Sequence, residues 1–281
     1  MPAYKGGTTV GPRYMVPAIK RAFEVLELLA NQDTGLTISQ LQRTLQLPLS
    51  SIATIVYTLQ ELGYLARDEA TSRYSLTVKM FGIARRAVDR MGFNSHCHVL
   101  LEELVRESGL TGHLAVRQGG DSMYLDRVAS DSMLQISSYV GLRWPLHTSA
   151  VGKALLAFLP EAELARLLKQ MTLKKLTPGT ITSRDVLEQQ LCRFRRLGYT
   201  WESNEGEWGV ACVAAPVFGP RHEVVAAISL SGTTQQITKS RIPALGALVR
   251  RYAESMSAQL ADYSPSTFIS APGQSRTGRA V

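Results

Sequence analysis

Residues 37–74, TISQLQRTLQLPLSSIATIVYTLQELGYLARDEATSRY, constrain this chain more than any other stretch. Ile38, Leu41 and Leu45 share one face of a short helix, and from Ser50 a second helix repeats Ile52, Ile55, Val56, Leu59 and Leu62 at intervals of three and four. Gly63 stops that helix, because a chain leaving a helix favours the left-handed backbone that glycine adopts freely. Residues 64–67 and 73–76 are short alternating segments around the polar turn Asp68-Glu69-Ala70-Thr71-Ser72, which is hairpin chemistry. Two helices packed across a tight turn and followed by a hairpin make a winged helix-turn-helix, which presents its second helix to a major groove.

Duplex DNA suits such an element only if electrostatics agree. The 281 residues carry a formal net charge of +8, which favours a polyanionic partner without identifying one. At 45% hydrophobic and 19% charged residues, the chain has the composition and length of two globular domains. Its cysteines, Cys97, Cys192 and Cys212, are odd in number and irregularly spaced, so a reducing compartment is expected rather than a disulfide framework. No apolar run approaches the roughly 18–20 residues that span a bilayer. The N-terminal residues lack a signal-peptide core, and the expectation is a cytoplasmic protein with no membrane partner.

Around the helix-turn-helix the chain divides into five segments. Residues 1–15, rich in Gly, Thr and Pro, read as a flexible arm, with phosphate contact by Lys5 or Arg13 as the alternative. Residues 16–77 form the DNA-binding domain, whose support helix starts near Pro17 with Ile19, Ala22, Phe23, Leu26, Leu29 and Ala30 on its buried stripe. Residues 78–92 form a linker helix carrying Val78, Phe81, Ala84, Ala87, Val88 and Met91 at helical spacing; that stripe either pairs with a second chain or packs on the wing. Gly92-Phe93-Asn94 breaks it, and Asn94 can cap the next helix. Residues 93–261 mix strands at 113–116, 123–128, 134–139, 199–202, 209–217 and 224–231 with helices at 149–158, 161–170, 184–197 and 240–261. That order predicts an α+β domain with an antiparallel sheet, and residues 262–281 read as a disordered tail.

In their joint order, AIKRAFEVLELLA, LTISQL, LPLSSIATIVYTLQELGYL and RYSL, then WPLHTSAVGKALLAFLP, then LGYTWESNEGEWGVACVAAPV with VVAAISLSG, the chain resembles the IclR family of bacterial transcriptional regulators over about residues 15–260. The resemblance implies a winged-helix domain, a linker helix used for dimerisation, and a GAF- or PAS-like effector-binding domain, assembled as a homodimer or homotetramer. It implies a regulator, a repressor in our reading, of a double-stranded DNA operator, controlled by a small organic or aromatic acid, with no catalytic residues, no cofactor and no metal.

The recognition helix departs from that family. Relatives usually read LPKST followed by His-Arg or a similar pair; here Leu49 and Thr54 hold the basic positions, and Gln46 replaces the usual turn glycine. Ser50, Ser51, Thr54 and Tyr57 can donate to phosphates or bases, Pro48 suits the first helical turn, and Arg43, Arg67 and Arg73 are candidate phosphate contacts. No side chain on that helix can make the bidentate arginine–guanine contact, worth roughly 1–3 kcal/mol of discrimination. The alternative is a sensor with weakened DNA binding that acts through protein contacts.

SAVGKA is not a phosphate-binding loop, because His147 and Ala154 stand where that motif needs glycine and a hydroxyl residue. What it offers is a helix N-terminus able to hold a carboxylate. Matching positions in the resemblance place the effector at Ala150, Val151, Glu202, Cys212, Ser229 and Ser231, with Leu142, Trp144 and Leu146 as apolar walls. Glu202 repels an anion unless it carries a proton. Cys212 also admits a plain buried role or, less favoured, an enzyme nucleophile that lacks a matched base. His96-Cys97-His98 hints at metal, but neighbouring helix positions diverge and no second cluster has zinc spacing.

Overall fold

A computed structural model describes residues 16–90, 95–132 and 136–261. The expected arm (1–15), helix break (Gly92-Phe93-Asn94) and tail (262–281) lie outside the described residues. The chain divides into two compact units, parting after Ala87.

In the first unit, α1 (Pro17–Ala30), α2 (Ile38–Leu45) and α3 (Leu49–Glu61) precede the antiparallel hairpin β1 (Leu65–Asp68) and β2 (Arg73–Leu76). Thr37 starts α2 reciprocally: its hydroxyl accepts from the Gln40 amide, and the Gln40 side chain accepts from the Thr37 amide at 2.9 Å. Gln46 closes α2 in the left-handed region at φ 54°, the conformation for which a glycine is the unstrained choice. Pro48 is the N-cap of α3, one place before the helix rather than within its first turn. Ile52, Ile55, Val56 and Leu59 of α3 pack with Val25, Leu26, Leu29, Leu41, Leu65 and Tyr74 in one apolar core. Leu62 lies outside that core and is exposed. The α1 stripe is also rotated from expectation. Val25, Leu26 and Leu29 are buried, whereas Ile19, Phe23 and Ala30 face solvent, because only one of two overlapping apolar stripes finds a partner.

Helix α4 (Lys79–Arg90) follows the hairpin. Val78 is 87% exposed and Phe81 69%, and Ala84 and Ala87 are exposed too, so these four residues of the stripe do not pack on the wing.

The second unit comprises α5 (Ser95–Ser108), β3 (Thr111–Gln118), β4 (Asp121–Val128), β5 (Arg143–Pro145), α6 (Ala150–Ala157), α7 (Glu161–Gln170), α8 (Arg184–Leu197), β6 (Thr200–Ser203), β7 (Val210–Phe218), β8 (Val224–Thr233) and α9 (Ile242–Ala261). Its six-stranded sheet runs β5-β4-β3-β8-β7-β6 with every pair antiparallel. Ala211, Val213, Ala215 and Val217 alternate toward one face, with Ala226, Ile228 and Leu230, and meet Leu101 and Leu104 of α5 and Val249 and Met256 of α9. The opposite face carries Ala115, Ala214 and Ala227 beneath Val151, Leu155, Leu187, Leu191 and Phe194 of α6 and α8. The strand expected at 134–139 is not formed at 136–139, and 134–135 lie outside the described residues. Instead the three-residue β5, too short to show alternation, supplies the edge.

Candidate nucleic-acid interface and effector site

With one side of α3 buried, its other side carries Ser50, Thr54 and Tyr57, all exposed, Tyr57 at 64%. Pro48 is exposed ahead of them, and Arg43 is exposed on α2. Ser51 is half-buried and its hydroxyl accepts from Arg21 Nη1 at 3.3 Å, so Arg21, unremarked in the sequence, ties α1 to the start of α3. Arg67 is exposed on the wing, donating to the Ser72 hydroxyl at 3.0 Å and lying 3.5 Å from the Glu69 carboxylate. Arg73 differs from the other candidates. Its Nη1 donates to the Gly35 carbonyl at 2.6 Å and approaches Gln40 Oε1 at 3.4 Å, so it anchors the wing to the start of α2.

The effector candidates meet on the α6 side of the sheet. Strand register puts Thr111, Ser231, Cys212 and Glu202 in one cross-strand row, and His113, Ser229, Ala214 and Thr200 in the next. Directly opposed residues share a face, so two rows of mostly polar side chains cross a sheet whose other side is mainly apolar at these strands. Cys212 Sγ lies 3.1 Å from the Ser231 hydroxyl, which lies 3.4 Å from His113 Nδ1. The Glu202 carboxylate accepts from the Glu205 amide at 3.0 Å. Ser229 Oγ is buried and has no hydrogen-bond partner among the described residues.

Helix α6 is pinned over these rows. Ser149 caps it, accepting from the Gly152 amide at 3.1 Å, and Thr200 donates to the Ala150 carbonyl at 2.7 Å. A Cβ on Gly152 would sit 2.3 Å from the Leu146 carbonyl oxygen, so the glycine of SAVGKA serves close packing and not a phosphate. Ala150, Val151 and Leu146 are buried and Trp144 half-buried on this side. The arrangement joins a helix N-terminus to hydroxyls, a thiol and a carboxyl, with apolar walls, which suits a small acid bearing further polar groups.

Burial sets the protonation states. Desolvation, only partly offset by the Glu205 amide, lifts the Glu202 carboxyl to about 7. Burial drives the Cys212 thiol well above its ordinary value, reinforced by the neighbouring Glu202, so it stays a neutral hydrogen-bonding group and is a poor nucleophile. His113, stacked on Tyr124 at 4.2 Å, is lowered to about 3 by burial and then by Arg127, and is neutral. Its Nε2 lies 2.8 Å from the Ser138 hydroxyl, to which Arg127 Nε also donates.

Sequence reasoning missed His113 as a member of these rows and the buried ion pair of Lys153 with Glu205 at 2.5 Å. Burial pushes Lys153 down and Glu205 up, and their mutual attraction opposes both shifts. Thr180 donates to the Glu205 carbonyl at 2.7 Å, while Glu205 Oε2 has no partner among the described residues. The one available signal was a lysine inside an otherwise apolar helix, AVGKALLA, which requires a buried partner. Elsewhere, His98 of the His96-Cys97-His98 motif has its Nδ1 2.7 Å from the Asp126 carboxylate, bridging α5 to β4.

Two family descriptions match the chain: the IclR helix-turn-helix domain over residues 18–69, and the bacterial transcriptional regulator IclR C-terminal domain over residues 85–258. The chain belongs to the IclR family. XynR of Escherichia coli is 32% identical over 228 residues, covering 81% of this chain and 90% of that regulator. The E. coli transcriptional repressor AllR is 30% identical, covering 86% and 90%. The solved structure of Thermotoga maritima IclR has a TM-score of 0.74 at 29% identity, covering 86% of this chain and 98% of that one. This family member is therefore a DNA-binding transcriptional regulator with a C-terminal effector domain. Among the described residues, no helix is long and apolar enough to cross a membrane.

Proposed function

We propose that this IclR-family regulator represses its target promoter and that a small organic acid, aliphatic or aromatic, bound beneath α6 alters its hold on the operator. The observation that carries the reading is the pair of polar rows under the α6 N-terminus, with the Ser229 hydroxyl buried and without a partner among the described residues. Trp144, Leu146, Ala150, Val151, Glu202, Cys212, Ser229 and Ser231 form the effector site, with the helix start receiving the carboxylate and protonated Glu202 donating to the ligand. Support for an acid comes also from an IclR homologue of Microbacterium hydrocarbonoxydans solved with 4-hydroxybenzoate; at 22% identity and a TM-score of 0.74, the likeness is one of fold. Support for repression comes from AllR.

Arg43, Pro48, Ser50, Ser51, Thr54, Tyr57 and Arg67 contact the operator, while Arg73 holds the wing in place. The exposed stripe of Val78 and Phe81 on the linker helix joins two copies, which couples two half-sites. A ligand acts only by binding one arrangement of the assembly better than another. The test is titration of the full chain onto DNA from its own promoter region at several salt concentrations, with and without a panel of small carboxylates that starts with 4-hydroxybenzoate. Sequence-dependent binding that shifts when one acid is present is the expected result. Indifference to sequence at every salt concentration refutes the reading.

A further inference from the structure

From Leu49 to Glu61, α3 contains no lysine, arginine, histidine or asparagine. Its one bidentate amide, Gln60, is half-buried in the last turn, far from the N-terminal end that usually meets base edges. Two of its outward hydroxyls are already engaged: Thr54 donates to the Ser50 carbonyl at 2.9 Å and Thr58 to the Thr54 carbonyl at 2.8 Å. A threonine hydroxyl that donates along its own helix leaves a base only a methyl group and an acceptor lone pair. Beside them stand two large apolar side chains with no place in the domain core, Leu49 at 52% exposure and Tyr57 at 64%, with Ala53 between them at helical spacing. Exposed apolar groups on a helix built to enter the major groove have one complementary feature there, the 5-methyl of thymine, whereas guanine presents two acceptors that this surface has no cationic fork to meet.

We infer that α3 reads its operator chiefly through thymine methyl groups, with Leu49, Ala53, the Thr54 methyl and the Tyr57 ring as the readers and Ser50 as the main free hydroxyl. The half-site core opposite α3 is then A·T-rich, and affinity comes from phosphate contacts by groups such as Arg43 on neighbouring elements. The inference rests on the DNA-binding reading and adds the class of base that is recognised.

The full-length chain is used to select binding sites from a random duplex pool, and the consensus is resynthesised with deoxyuridine in place of thymidine at each core position. Uracil pairs as thymine does and lacks only the methyl. Affinity is expected to fall roughly threefold to fivefold per contacted methyl, as burial of one such group implies. The slope of log affinity against log salt should not change, because no phosphate contact is altered. Leu49→Ala and Tyr57→Ala, at positions outside the core, should each lose the thymine–uracil difference at one core position and keep it elsewhere. Leu49→Met should retain it. Circular dichroism and melting confirm that each variant is folded. A consensus whose core is G·C-rich, or whose affinity is unmoved by uracil, overturns methyl readout and leaves the regulator reading standing. Absence of any consensus, with binding equal on all duplexes, overturns both.

Discussion

The two faces of the six-stranded sheet are made by the same strands and do opposite work. On β7 and β8 the residues Ala211, Val213, Ala215, Ile228 and Leu230 face α5 and α9 and join a continuous aliphatic core. One residue along, Cys212, Ser229 and Ser231 face the other side, where Glu202 and His113 join them across the register. A period of two lets one strand present an aliphatic row on one side and a more polar one on the other, so within a strand a substitution's effect depends on whether its position is odd or even.

The largest expected effect belongs to the ion pair of α6, on the polar side. Lys153→Met leaves the Glu205 charge buried without its partner and should destabilise the domain by about 3–5 kcal/mol, read as a lower denaturation midpoint. The double variant Lys153→Met with Glu205→Leu should recover most of that loss; if it does not, Lys153 matters for packing and not for charge. Next, Leu230→Ala on the aliphatic face should cost about 2–5 kcal/mol and leave effector affinity in the still-folded protein unchanged. A large change in affinity with little loss of stability would break the division between the faces.

Glu202 sharpens the contrast through pH. Its folded carboxyl titrates near 7, above the ordinary 4.5, so the folded state holds a proton that the unfolded chain has released. Stability from this group is therefore fully present below about 4.5 and is lost as pH rises to about 7. Binding of a carboxylate effector should weaken over the upper part of that range, as the site gains a negative charge. Glu202→Gln should flatten both profiles, measured by melting and by calorimetric titration between pH 5 and pH 8. Smallest of all, Ser229→Ala removes a hydroxyl that has no partner among the described residues, so stability should change by less than about 1 kcal/mol. Loss of effector response in that folded variant is expected; an unchanged response removes Ser229 from the site.

Much of the first unit was legible because local rules and tertiary packing agree there. The three-and-four spacing of Ile52 through Leu59 and the turn at Asp68 each carry their own signal. The α1 stripe was misread because Ile19-Phe23 and Val25-Leu29 are both helical pairs, and periodicity does not say which one a neighbour covers. In the second unit, alternation revealed the long strands but not β5, whose three residues carry no period. The family resemblance, rather than spacing, pointed to Glu202, Cys212, Ser229 and Ser231. The register then brought them together, while His113 and Glu205 went unseen, since each gains meaning only from partners such as Ser231 and Lys153 that are distant along the chain.

The sequence by itself determined most of the helices and the long strands, and that a basic chain with a helix-turn-helix faces DNA, because those properties follow from neighbours within a few residues and from total charge. Only the tertiary structure decided which apolar stripe of α1 is covered, that Arg73 braces the wing, and that a lysine on α6 meets a glutamate fifty-two residues away in the chain. Burial is a property of the assembled fold, and it is burial that turns Glu202 into a proton-holding group and Cys212 into a neutral one.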